Sequence, residues 1–154
     1  MDIQTWHPIS VHFPIAFLLL SGILSLYLVY KFKKYLAQFN FGLLLIGLIG
    51  CGIAIYTGNI EDGKVSRTLC DPTILKTHEN YAYYLLWIFI ANLAFWAVKL
   101  LIRPKSYNTI LAILIIVSSL IGICCLVYVG HLGASLVYEQ AAGVKVPSED
   151  CEGF

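Results

Sequence analysis

Four long apolar stretches, separated by short polar connections, leave this 154-residue chain few ways to fold. They are expected to form helices over about 8–30, 41–57, 79–99 and 108–138. In lipid a backbone must satisfy its own N–H and C=O groups, and a helix of about 20 apolar residues does so while crossing the hydrocarbon layer. Charged residues make up 12% of the sequence against about 25% in a soluble domain, which points to an integral membrane protein. The expected fold is all-α, one domain over 1–154. Short connections make sequential helices antiparallel neighbours, giving an up-down-up-down four-helix bundle. The first and third helices then face each other across a diagonal. An outer loop over 58–78 and an outer tail over 139–154 complete it.

Charge sets the expected orientation. The connections over 31–40 and 99–107 carry Lys31, Lys33, Lys34, Lys99, Arg103 and Lys105, with no acidic residue. All nine acidic residues lie at the N-terminus, over 58–80 at the middle loop and the start of the third helix, or in the tail. The positive-inside rule therefore places both termini and the middle loop outside the cytoplasm, in a bacterial inner membrane. The opening MDIQTWHPIS has Asp2 and no basic residue, unlike a signal peptide, so the first run is expected to stay as an N-out helix. Membrane lipid is the expected partner, and nucleic acid is not.

Cysteine and glycine follow the same division. Cys51, Cys124 and Cys125 fall within apolar runs, where free cysteine acts as a small hydrophobe. Cys70 and Cys151 fall in outer segments, where an oxidising compartment favours a disulfide between them; two unrelated cysteines are the alternative. Gly42, Gly47, Gly50 and Gly52 mark the second helix, and Gly122, Gly130 and Gly133 the fourth. Small residues let membrane helices approach closely, and they also leave room for a flat ligand.

The four histidines carry the functional signal. His7, His12, His78 and His131 all fall at the outer ends of apolar runs. Ionisable side chains at membrane depth are costly, so several at one level suggest a site. Pro8 suits a first helical turn, and Pro14 leaves the Ser10 carbonyl without its usual partner. Five residues along a helix turn through about 500°, which sets the His7 and His12 rings about 140° apart. Facing helices supply bis-histidine haem ligands in bundles, and the surroundings here are apolar, aromatic and glycine-rich. A structural zinc site wants four N or S ligands at close spacing, and no CxxC or HExxH pattern supports one. Without CxxCH the haem is b-type. One or two haems fit the count, with His12 and His78 as the expected first axial pair and His131 with His7 as a second.

His-Pro-x-x-Val-His-Phe-Pro over 7–14, Thr57-Gly58-x-x-x-Asp62, His78 opening the third helix, and Gly-His-Leu-Gly-Ala-Ser-Leu-Val-Tyr over 130–138 together resemble domain-of-unknown-function family 2231. That resemblance covers nearly the whole chain and implies a small four-helix membrane protein. Members joined to cytochrome c-like or Rieske-type modules imply membrane electron transfer. It singles out His7, His12, His78 and His131 as the shared polar positions.

The leading expectation is a membrane b-type cytochrome-like electron carrier, or a redox-complex subunit, more than a stand-alone enzyme. A quinone or a periplasmic cytochrome is its implied partner, within a homo-oligomer or a larger redox complex. The competing expectations are a histidine-based metal-binding or transport protein, and a non-catalytic subunit of a larger membrane complex. Transport calls for polar or broken-helix features near the midplane and on the cytoplasmic side, where the second, third and fourth helices offer little beyond Asn92, Ser118 and Ser119.

Overall fold

The computed structural model describes residues 6–101 and 108–144. These residues form helices and turns, with no strand among them. The helices are α1 (Trp6–Ser10), α2 (His12–Tyr30), α3 (Lys34–Val65), α4 (Pro72–Leu101) and α5 (Asn108–Gln140). Taking α1 and α2 as one rod, four helices are long and apolar enough to cross a membrane. Each packs against its neighbours in sequence, and α5 closes the ring against α2. The up-down-up-down bundle follows.

The helices outrun the apolar stretches. α3 has 32 residues, starts at Lys34 instead of near 41, and runs to Val65 instead of ending near 57. At 1.5 Å per residue it is about 48 Å long, well beyond a hydrocarbon layer of about 30 Å. Hydropathy reports the thickness of lipid, whereas i→i−4 hydrogen bonding carries the helix on into polar sequence. The basic connection between α2 and α3 therefore shrinks to 31–33 and the outer loop to 66–71. Asp71 starts α4: its Oδ1 accepts from the Thr73 N–H at 2.9 Å and from the Thr73 hydroxyl at 2.6 Å.

One fully buried side chain from each long helix fills the centre: Leu18, Leu44, Phe89 and Ile115. Glycine sets how closely the helices meet. A Cβ on Gly47 would stand 2.7 Å from Leu18 Cδ2, and one on Gly122 would stand 3.0 Å from the Phe89 ring.

Toward the basic end the core turns polar without loosening. The Ser21 hydroxyl donates to Asn40 Oδ1 at 2.8 Å, and Asn40 Nδ2 donates to Ser25 Oγ at 2.9 Å. Trp96 Nε1 reaches across the diagonal to the same Ser25 oxygen at 2.9 Å. All four residues are fully buried. One turn along α4, Asn92 Nδ2 donates to Ser118 and Ser119 of α5 at 2.8 and 2.9 Å. Asn40, which the sequence reading puts in a connection, is a buried member of α3.

Candidate functional site

At the other end the bundle opens into a cavity of about 350 Å³. Leu18, Ile55, Leu85, Leu126 and Leu136 give it apolar walls, and His7, His12, His78 and Glu61 also line it.

His7 sits in α1, held against α3. Its Nδ1 lies 2.8 Å from the Ala54 carbonyl oxygen. A carbonyl can only accept, so that nitrogen carries the proton. The His7 backbone N–H, unpaired within so short a helix, donates to Glu61 Oε1 at 3.2 Å. The Ser10 hydroxyl donates to the His7 carbonyl at 2.9 Å and lies 3.1 Å from the Thr57 hydroxyl, which donates back to Ala54 O at 3.0 Å. Val11 keeps helical backbone angles, and Val11 N–H to His7 O and Ile15 N–H to Val11 O, both at 3.2 Å, bridge α1 to α2. Pro14 packs where a Cβ on Gly50 would stand 3.2 Å from its Cδ.

His78 is placed by α4 and α5. Its Nδ1 donates to the Val129 carbonyl at 3.1 Å. The two rings come together across the bundle with centroids 6.2 Å apart and planes at 89°. Both therefore share one arrangement: Nδ1–H fixed on a backbone carbonyl, leaving Nε2 as the nitrogen with a free lone pair. Among the described residues neither Nε2 has a hydrogen-bond partner. A glycine makes room beside each ring, since a Cβ on Gly58 would stand 3.1 Å from His7 Cε1 and one on Gly133 3.4 Å from His78 Cε1.

The rings that meet are those of His7 and His78, whereas the sequence reading pairs His12 with His78. The diagonal relation of the first and third spans holds, but the ring that uses it is five residues earlier. Helical phase gives the reason: with His7 turned toward α3 and α4, His12 is rotated by about 140° and lies exposed at the cavity's edge. His131 is exposed and does not line the cavity, so it forms no second pair with His7. Cys70 is exposed in the α3–α4 connection, while Cys151, its expected disulfide partner, lies outside the described residues.

Sequence reading missed Glu61, which is only 9% exposed. Ala54, Thr57, Gly58 and Glu61 fall at i, i+3, i+4 and i+7, one stripe of a helix. Carrying the helical period past the apolar run would have found it. Among the described residues no three His, Cys, Asp or Glu side chains group closely enough to hold a bare metal ion.

Two imidazoles with unengaged Nε2 atoms, both lining one cavity, are a donor set for a group that brings its own further ligands. Two imidazoles sharing one ion through nitrogen at about 2.0–2.1 Å each would put their ring centres roughly 6 Å apart, near the separation observed.

Neither the curated proteins nor the solved structures contain a match to this chain. The family described as a predicted membrane protein, DUF2231, matches residues 4–146, and the chain belongs to that family.

Proposed function

We propose that this protein is a b-type cytochrome-like electron carrier in which His7 and His78 hold one haem at the acidic end of the bundle. The observation that carries this reading is the perpendicular His7–His78 pair, 6.2 Å between centroids, with each Nδ1 engaged by a main-chain carbonyl. Such bonds fix the tautomer and ring orientation of a metal-binding histidine and raise its basicity. Bound haem supplies a one-electron ferric–ferrous couple. The protein's part is to place two imidazoles, keep the walls apolar, and set the potential through burial and hydrogen bonds.

One haem is favoured over two because His12 and His131 are exposed and only one histidine pair forms. The charge asymmetry supports placing the site at the outer face of a bacterial inner membrane, in reach of a quinone or a periplasmic cytochrome. A Cys70–Cys151 disulfide would tie the tail over that end. Metal transport is the weaker reading, because the fully buried Leu18, Leu44, Phe89 and Ile115 close the bundle below the cavity.

The test is a visible spectrum of the full-length protein, purified in detergent from haem-replete cells. The expected result is a reducible Soret band and one haem per chain by pyridine haemochrome. A colourless protein under those conditions would refute the reading.

A further inference from the structure

The basic end holds a second cleft, of about 700 Å³, which the haem reading does not use. Lys34 opens α3 and Lys99 lies in the last turn of α4; both line the cleft, with Val29, Leu100 and Ala112 as apolar floor and Thr109 on the first turn of α5. Lys99 is partly buried, and its Nζ stands 5.4 Å from the Phe32 ring centre and 5.7 Å from that of Trp96. Aromatic faces attract a cation but do not neutralise it. Among the described residues no carboxylate neutralises it at this end. No Asp or Glu occurs over 3–60 or 80–138, and the ion pair formed among the described residues, Lys76 with Glu79, lies at the opposite end. The first turns of α3 and α5 contain no acidic residue either, and their leading N–H groups lack partners within the helix.

We propose that this cleft binds the phosphate of an anionic phospholipid, with Lys34 and Lys99 as its cationic contacts. A partly buried ammonium with no paired carboxylate among the described residues, beside a second lysine, selects a negatively charged oxygen ligand. The apolar floor and the position at the ends of membrane-crossing helices select a lipid over free phosphate, since headgroup and first acyl carbons meet the protein there together. Basic pockets between membrane helices bind such headgroups, and each lysine near an anionic surface contributes about 1 kcal/mol, close to fivefold in affinity.

The experiment uses the full-length protein in detergent micelles doped with phosphatidylglycerol, with phosphatidylcholine, or with inorganic phosphate alone. Native mass spectrometry reads bound lipid, and thermal unfolding reads stabilisation. Phosphatidylglycerol is expected to be retained and to raise the melting temperature, and phosphatidylcholine and inorganic phosphate are not. Lys99→Gln should weaken retention about fivefold and Lys34→Gln/Lys99→Gln roughly thirtyfold. Lys99→Arg should keep most of it. Lys31→Gln/Lys33→Gln removes the same charge from the same end but outside the cleft, and should leave retention near wild type. Equal retention of both lipids, or equal loss in the Lys31/Lys33 and Lys34/Lys99 double variants, would overturn the site. Stabilisation by inorganic phosphate equal to that by phosphatidylglycerol would overturn the lipid assignment. Haem content plays no part in either readout.

Discussion

The two halves of this bundle treat buried polar groups in opposite ways. Toward the basic end, Ser21, Asn40, Ser25 and Trp96 are fully buried and bonded to one another. At the acidic end, His7 and His78 each have Nδ1 engaged by a main-chain carbonyl, and both line a cavity of about 350 Å³. A polar group closed on its neighbours holds helices together. A polar group pinned on one side and open on the other is poised for a ligand. Counting polar residues within apolar helices would not separate these cases; following each donor and acceptor does.

The comparison breaks most visibly at the histidines. His7→Ala and His78→Ala should each abolish haem retention, exceeding the roughly 10–100-fold cost of losing a supporting hydrogen bond at a metal site. His12→Ala and His131→Ala should retain a full complement. Haem per chain across the four variants checks this, with circular dichroism to show that helix content is unchanged. If His12→Ala were the variant that lost haem, the assignment would pass to the pair expected from sequence.

The basic half should respond in stability and not in ligand. Asn40→Leu removes the bonds to Ser21 and Ser25, and at about 1 kcal/mol per bond in a membrane bundle it should cost about 2 kcal/mol. Reversible unfolding in mixed micelles measures this, and haem content should stay at the wild-type level. Gly58→Ala should do the reverse on a smaller scale. Its Cβ would crowd His7 Cε1 at 3.1 Å, shifting the ring and weakening haem binding by about 1 kcal/mol, near fivefold. Gly133→Ala meets His78 at an ordinary 3.4 Å and should weaken it less. Haem transfer to apomyoglobin orders the two.

The smallest effect is expected at Asp71, outside both halves. Hydrogen bonds from the Thr73 hydroxyl and N–H hold its carboxyl below its ordinary 3.8. A depressed folded-state value stabilises the fold fully above the ordinary value, and that contribution fades as pH falls through the depressed one. Amide exchange at the start of α4 should therefore be constant near neutrality and quicken only in acid, beyond the intrinsic pH dependence. Asp71→Asn should flatten that acid response.

Much of this was legible in the sequence because lipid leaves a chain few choices. Four apolar runs and two acid-free basic connections give the bundle and its pairing of neighbours. Helix ends were not legible, because hydropathy stops at the edge of the lipid while α3 runs on to Val65. That error hid Asn40 in one direction and Glu61 in the other. The histidine layer was legible as a set, but the choice of His7 over His12 depends on the rotation of α1 against α3. Ala54 and Glu61 fix that rotation through bonds to His7 Nδ1 and N–H, and neither residue announces it by type.

The proposal that His7 and His78 hold one haem is tested most directly by low-temperature electron paramagnetic resonance of the oxidised full-length protein, alongside His7→Ala and His78→Ala. The expected result is a low-spin ferric signal of the strongly anisotropic kind given by axial imidazoles with crossed planes, absent from both variants. A high-spin signal, no ferric haem signal at all, or a low-spin signal unchanged in either variant would contradict it.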